Sequence, residues 1–134
     1  MKLFDWSVRV YYEDTDSGGV VYHANYLRFM ERARTEWLRA LGFEQDQLKA
    51  EENLLFAVHS MSLNYRRPAR FNDALLIRSR LEKASGASMQ FEQTIYRDEE
   101  LLCDATVRIA CLDVETFRPK PIPNSILTEM LSDC

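Results

Sequence analysis

Residues 16–26, DSGGVVYHANY, run from an acid and two glycines, through one of the chain's two histidines, into a segment with helical spacing. The reading of this stretch decides the fold, because it separates a region of period two from one of period 3.6. Upstream, Trp6, Val8, Val10 and Tyr12 alternate with Ser7, Arg9, Tyr11 and Glu13, which predicts a first strand. Asp14-Thr15-Asp16-Ser17-Gly18-Gly19 then has turn composition and breaks that strand. Downstream, Tyr26, Phe29, Met30, Ala33, Trp37 and Leu41 share one helical face, with Arg28, Glu31, Arg32, Arg34, Glu36 and Arg39 mostly on the other. Asn25 is the expected N-cap and Gly42 the expected left-handed residue after the helix, giving a helix over about 25–41.

Residues 45–52, QDQLKAEE, predict a short polar helix. From residue 54 the period returns to two: Leu55, Ala57, His59, Met61, Leu63 and Tyr65 alternate with Phe56, Val58, Ser60, Ser62, Asn64 and Arg66. Arg67-Pro68-Ala69 ends that strand or places it at an edge. ALLIRSRLE, SMQFEQTIY and LLCDATVRIACL follow, joined by short links at Gly86 and Arg97-Asp98-Glu99-Glu100. Four such strands predict an antiparallel meander, whose apolar side (Leu101, Cys103, Ala105, Val107, Ile109, Cys111) needs a cover. The 25–41 helix is long enough to supply it. Pro119, Pro121 and Pro123 predict an extended crossing segment and then a short helix from about 124. The expected fold class is α+β: a single domain over 1–134, with one long helix packed against a strongly bent antiparallel sheet of about five strands.

Composition narrows the function. Seventeen basic against 21 acidic residues give a formal charge of −4, so no broad electrostatic attraction to nucleic acid or to an anionic membrane is expected. Cys103, Cys111 and Cys134 are odd in number and form no CxxC pair, which fits free thiols in a reducing, cytoplasmic setting. The N-terminal stretch lacks the apolar run and small-residue site of a secretory signal, and no segment is apolar enough for a transmembrane helix.

The loop before the helix is the candidate site. An EF-hand reading from Asp14 puts Gly18 at the fifth position and Asn25 at the twelfth, where a bidentate Glu is required, so calcium fails. His23 and His59 have no zinc-ligand spacing, and neither GxGxxG nor GxxxxGK occurs. No metal and no cofactor are expected. On spacing alone, Asp16 can simply stabilise its turn, Gly18 and Gly19 permit it, and His23 be a satisfied core residue. The alternative is chemical. A helix start offers unpaired N–H groups and a positive dipole end, suited to a carbonyl oxygen gaining negative charge, and an upstream carboxylate can reach the carbonyl carbon or a water beside it. That constellation suits acyl transfer.

The run VRVYYEDTDSGGVVYHANYLRFMERAR (Val8 to Arg34) resembles the signature of the hotdog-fold acyl-CoA thioesterases of the 4-hydroxybenzoyl-CoA thioesterase class. Within that class it is most similar to the bacterial subgroup associated with the Tol-Pal cell-envelope system. LLFAVHSMSLNYRRPARFNDAL and the segment around Asp113 agree less specifically. The resemblance implies a sheet wrapped around the long helix, homodimers or homotetramers, and hydrolysis of a thioester to a free acid and coenzyme A. It matches Asp16 to the catalytic carboxylate, as nucleophile or general base, and Gly18 and Gly19 to its flexible turn. It matches His23 to the helix-start amide that holds the carbonyl, with an assisting side chain, and sets Tyr22 beside it as loop support. Tyr12 and Tyr26 have packing roles at least as readily. Coenzyme A phosphates would need local cations, for which Arg66, Arg67, Arg70, Arg118 and Lys120 are the candidates, some from a neighbouring subunit. An acyl carrier protein thioester is an alternative substrate. A non-catalytic acyl-CoA-binding or envelope-linked module is an alternative function, against which Asp16 argues. A dehydratase fits the EDTD loop poorly.

Overall fold

The computed structural model describes residues 3–132, so Cys134 lies outside the described part. Five strands form one antiparallel sheet: β1 Leu3–Arg9, β2 Leu54–Tyr65, β3 Ala74–Ser85, β4 Ser88–Arg97 and β5 Glu100–Asp113, in the order β1-β3-β4-β5-β2. Three helices accompany it: α1 Asn25–Ala40, α2 Gln45–Glu52 and α3 Asn124–Leu131. The α+β architecture is the expected one. Its topology differs from a four-strand meander. Only β3, β4 and β5 follow one another, while β2 crosses over to pair with β5 and β1 pairs with β3. Both edges of the sheet are therefore strands from the first half of the chain.

The sheet bends at named places. Register shifts leave His59 unpaired in β2, Glu82 in β3 and Leu102 in β5. A bulge adds one residue to one strand of a pair, kinking it and raising its local twist. In β2 the bulge also changes which residues face inward. Leu54 and Phe56 pack on the core before it, and Met61 and Leu63 after it. The unbroken alternation expected from Leu55 through Tyr65 is thus wrong for the first half of the strand.

The curved sheet packs on α1. Tyr26, Phe29, Met30, Ala33 and Trp37 are all buried, and each large side chain among them stabilises the fold by about 1.5–3 kcal/mol. Trp37 stacks on Phe4 of β1 at 5.8 Å and meets Phe91 of β4 edge-on at 5.6 Å, tying the helix to two strands. The helix stops through a paired C-terminal motif. Gly42, with φ +97°, lets its N–H reach the Arg39 carbonyl at 3.0 Å and that of Phe43 reach Leu38 at 2.9 Å. After β5 the chain crosses back in extended form, Lys120 N–H bonding to the Cys111 carbonyl and Ile122 N–H to that of Gly86. Ile126 and Met130 of α3 then complete the core. Buried polar groups are few and satisfied. Gln93 of β4 accepts from Arg34 Nη1 at 2.7 Å and donates to the Met30 carbonyl at 3.0 Å and Ser79 Oγ at 2.9 Å.

Candidate active site

β1 ends at Arg9, earlier than the alternation predicts, and Tyr12–Asp14 form a 3-10 turn instead of continuing the strand. That turn buries Asp14, which is 6% exposed. Its carboxylate accepts the Tyr11 N–H at 2.8 Å and the Asn25 side-chain amide at 2.9 Å. Asn25 is therefore not the N-cap. It is the first residue of α1, and Ala24 precedes it as a cap without a side-chain bond. The two residues clamp the loop to the helix start.

Between them residues 15–21 make a small hairpin, with a bridge between Thr15 and Val21 and an Asp16 N–H bond to Val20 at 2.9 Å. Gly19 N–H closes the tip on the Asp16 carbonyl at 3.0 Å, at φ +79°, where a side chain would be strained. Gly18 donates its N–H to Asp16 Oδ1 at 2.8 Å, and a Cβ at that glycine would sit 3.1 Å from the same oxygen. Both glycines are thus fitted to Asp16. Its second oxygen, Oδ2, has no protein partner among the described residues, and the side chain is exposed.

The β2–β3 connection holds this hairpin. Val20 bridges Arg70, Val21 N–H bonds to Ala69 at 2.8 Å, and Ala69 N–H donates to the Tyr26 hydroxyl at 3.0 Å. Tyr65, at the end of β2, donates its hydroxyl to the His23 carbonyl at 2.8 Å. Burial raises the pKa of the Tyr26 phenol, while the Ala69 N–H that it accepts acts in the opposite direction. His23 is exposed, which rules out a core histidine, and its ring lies 4.4 Å from that of the exposed Tyr22. Asn25 N–H bonds to Tyr22 at 2.8 Å, so hydrogen bonding of the helical kind begins two residues before α1. The N–H groups left over by that turn are those of His23 and Ala24, neither with a protein acceptor among the described residues.

The basic candidates separate into two groups. Arg66 pairs with Asp104, Arg67 with Glu100 at 3.2 Å, and Arg70 adjoins Val20; all three lie at the Tyr65 end of β2, beside the Asp16 loop. Arg118 and Lys120 lie past the other end, where Leu54 pairs with Asp113 and Lys120 Nζ donates to the Glu52 carbonyl at 2.6 Å. At about 3.3 Å per residue the length of β2 separates the groups by roughly 36 Å of strand. Within one subunit the two groups thus lie at opposite ends of β2. Among the described residues no group of His, Cys, Asp and Glu is arranged to hold a metal ion. Asp14, Asn25 and Tyr65 are the site's supporting residues that pattern reading missed. Asp14 was visible in the sequence only as the second acid of the EDTD segment, and Asn25 only as a residue of the helix start.

Comparisons with known proteins place the chain in a family. A family model described as the thioesterase-like superfamily matches residues 10–130. The chain is 45% identical over 123 residues to a Haemophilus influenzae protein named acyl-CoA thioesterase YbgC, covering 92% of this chain and 90% of that one. It is 48% identical over 128 residues to the Escherichia coli O157:H7 acyl-CoA thioester hydrolase YbgC, covering 95% of each. Among solved structures, a probable thioesterase from Bartonella henselae superposes with a TM-score of 0.87 at 41% identity, covering 91% of this chain and 100% of the other. A 1,4-dihydroxy-2-naphthoyl-CoA thioesterase from Synechocystis superposes with a TM-score of 0.91, covering 98% of each; its 23% identity speaks for the fold alone. A curved five-strand sheet around one long helix, the matched span and these relatives together make the chain a member of the thioesterase-like, hotdog-fold superfamily.

Proposed function

We propose that this protein hydrolyses acyl-CoA thioesters to a free carboxylic acid and coenzyme A, with Asp16 as the catalytic carboxylate. The observation that carries the reading is an exposed carboxylate, one oxygen free, on a hairpin clamped by Asp14 and Asn25 to a helix start with unused N–H donors. The N–H groups of His23 and Ala24 would receive the thioester oxygen as it becomes an oxyanion. Asp16 Oδ2 would then act by either of two routes. It attacks the carbonyl carbon, expelling the thiolate and leaving a mixed anhydride for water to cleave. Alternatively it takes a proton from a water that attacks, and the thiolate leaves as the tetrahedral species collapses. The exposed His23 ring would assist the carbonyl or the departing thiolate. No cofactor is needed, since coenzyme A is part of substrate and product.

Asp16→Asn keeps size while removing charge and basicity. Thiol release by the folded variant should fall at least about a thousand-fold, in the upper half of the usual contribution of one general base, since both routes need the carboxylate. Wild-type turnover by D16N, with an unchanged circular dichroism spectrum, would refute the role. A wild-type protein that binds acyl-CoA without releasing thiol would favour the binding-module alternative. Faster release from an acyl carrier protein than from coenzyme A would change the carrier, not the chemistry.

The reading extends to assembly. β1 and β2 are open edges, and pairing of β2 with a second copy would satisfy its outward N–H and C=O groups. The separation of Arg118 and Lys120 from Asp16 within one subunit supports a shared site in a homodimer or homotetramer. Buried Cys103 and Cys111, both free thiols, support a reducing cytoplasmic location, and no helix among the described residues is long and apolar enough to cross a membrane. The tie to the Tol-Pal envelope system rests on the resemblance alone.

A further inference from the structure

Tyr65 closes β2, 42 residues along the chain from His23, yet its hydroxyl donates to the His23 carbonyl at 2.8 Å. That carbonyl shares a peptide group with the Ala24 N–H, one of the two donors at the start of α1 without a protein acceptor among the described residues. A peptide group is planar and its C–N bond has partial double-bond character. A hydrogen bond to its oxygen therefore draws electron density from its nitrogen, and the N–H becomes a stronger donor. The same bond fixes the plane of the group, and with it the direction in which the Ala24 N–H points. The hydroxyl is itself held in place. The Tyr65 ring meets the Tyr26 ring edge-on at 5.4 Å, and Tyr26 is buried, its hydroxyl accepting the Ala69 N–H at 3.0 Å. Partial burial raises the Tyr65 pKa, so the phenol keeps its proton and remains a donor at neutral pH. The contact is made within one subunit and does not depend on what covers the outer edge of β2.

We propose that Tyr65 is a positioning residue for thioester hydrolysis, its hydroxyl aligning and polarising the His23–Ala24 peptide so that the Ala24 N–H meets the oxyanion as it forms. This inference rests on the reading of the helix start as the oxyanion site. Tyr65 does not touch the thioester; it acts through the peptide group. A hydrogen bond to the thioester oxygen strengthens as charge develops there, so the effect belongs to the transition state more than to the bound substrate.

The test compares steady-state thiol release by the wild type, Tyr65→Phe and Tyr65→Leu, using the fastest of butyryl-, octanoyl- and benzoyl-CoA. Tyr65 is 52% exposed and Y65F keeps its ring, so this variant removes the hydroxyl without threatening the fold. Deleting an oxyanion donor outright costs about a hundred- to a thousand-fold in kcat. In Y65F the donor stays and loses its alignment, and water can reach the exposed carbonyl, so kcat should fall about three- to thirty-fold. KM should change by less than about twofold. Y65L should lose little more than Y65F, since the ring serves to carry the hydroxyl. Independently of turnover, the Ala24 amide nitrogen resonance should move upfield in Y65F, because its peptide oxygen has lost a donor. Wild-type kcat in Y65F, a loss carried by KM, a loss seen only in Y65L, or an unmoved Ala24 resonance would each overturn the proposal while leaving the hydrolase reading intact. A wild-type protein that releases thiol from none of the three substrates would overturn that reading, and this inference with it.

Discussion

Truncating Asp14 to alanine removes the carboxylate that fastens the catalytic hairpin to α1, and its cost follows from the two bonds lost. Hydrogen bonds to a charged group are worth about 1.5–3 kcal/mol each. Tyr11 is exposed, so its N–H regains water and that bond counts at the low end of the range. Asn25 is 5% exposed, and its amide is left with no acceptor. The expected loss for D14A is therefore about 3–5 kcal/mol, and for Asn25→Ala, which breaks one of the two bonds, about 2 kcal/mol. The shared bond can be lost only once. D14A/N25A should accordingly fall short of the sum of the single effects by about 2 kcal/mol, where independent sites would add within about 0.5 kcal/mol. Urea unfolding followed by circular dichroism measures all four proteins, with equal m-values required for the comparison. Additivity within error, or a D14A loss below about 1 kcal/mol, would refute a clamp made of these two side chains.

Three further outcomes follow from the same structure. His23→Ala leaves the backbone N–H in place, so turnover should drop by roughly ten- to a thousand-fold, less than in D16N; unchanged turnover would assign the ring to packing alone. Burial pushes the Cys103 thiol up to about 12, so the folded protein keeps its proton where the unfolded chain would lose it. Stability should then decline as pH rises above about 8.5, the ordinary thiol value, with part of that decline removed in Cys103→Ala relative to its own neutral-pH stability; parallel curves would contradict this. Activity should be lost on dilution together with the dimer in sedimentation experiments, and a fully active monomer would defeat the shared site.

The long helix was legible because its apolar positions recur every three to four residues without interruption. Its C-terminal stop was legible because only glycine suits the φ of +97° found at Gly42. The start was misread for a physical reason: Asn is a good N-cap, but here its amide is spent on Asp14 rather than on the helix's own N–H groups. Pairing order was also illegible. Short links predict neighbours, yet β2 and β3 are joined by a short connection and do not pair, because that connection wraps the Asp16 hairpin instead. Asp16 stood out by its place among glycines, whereas Tyr65 reaches His23 only through the fold.

The unpaired His59 has a bearing on how much the length of this chain can vary. Its neighbours Val58 and Ser60 face Ile109 and Arg108, consecutive residues of β5, so without His59 the strand would read as regular alternation with every existing pair kept. Deletion at this point would straighten β2 without turning Leu54, Phe56, Met61 or Leu63 out of the core. A deletion elsewhere in the strand, with no new bulge, would invert one side of it. Position 59 is thus where the strand can lose a residue and change curvature rather than inside for outside.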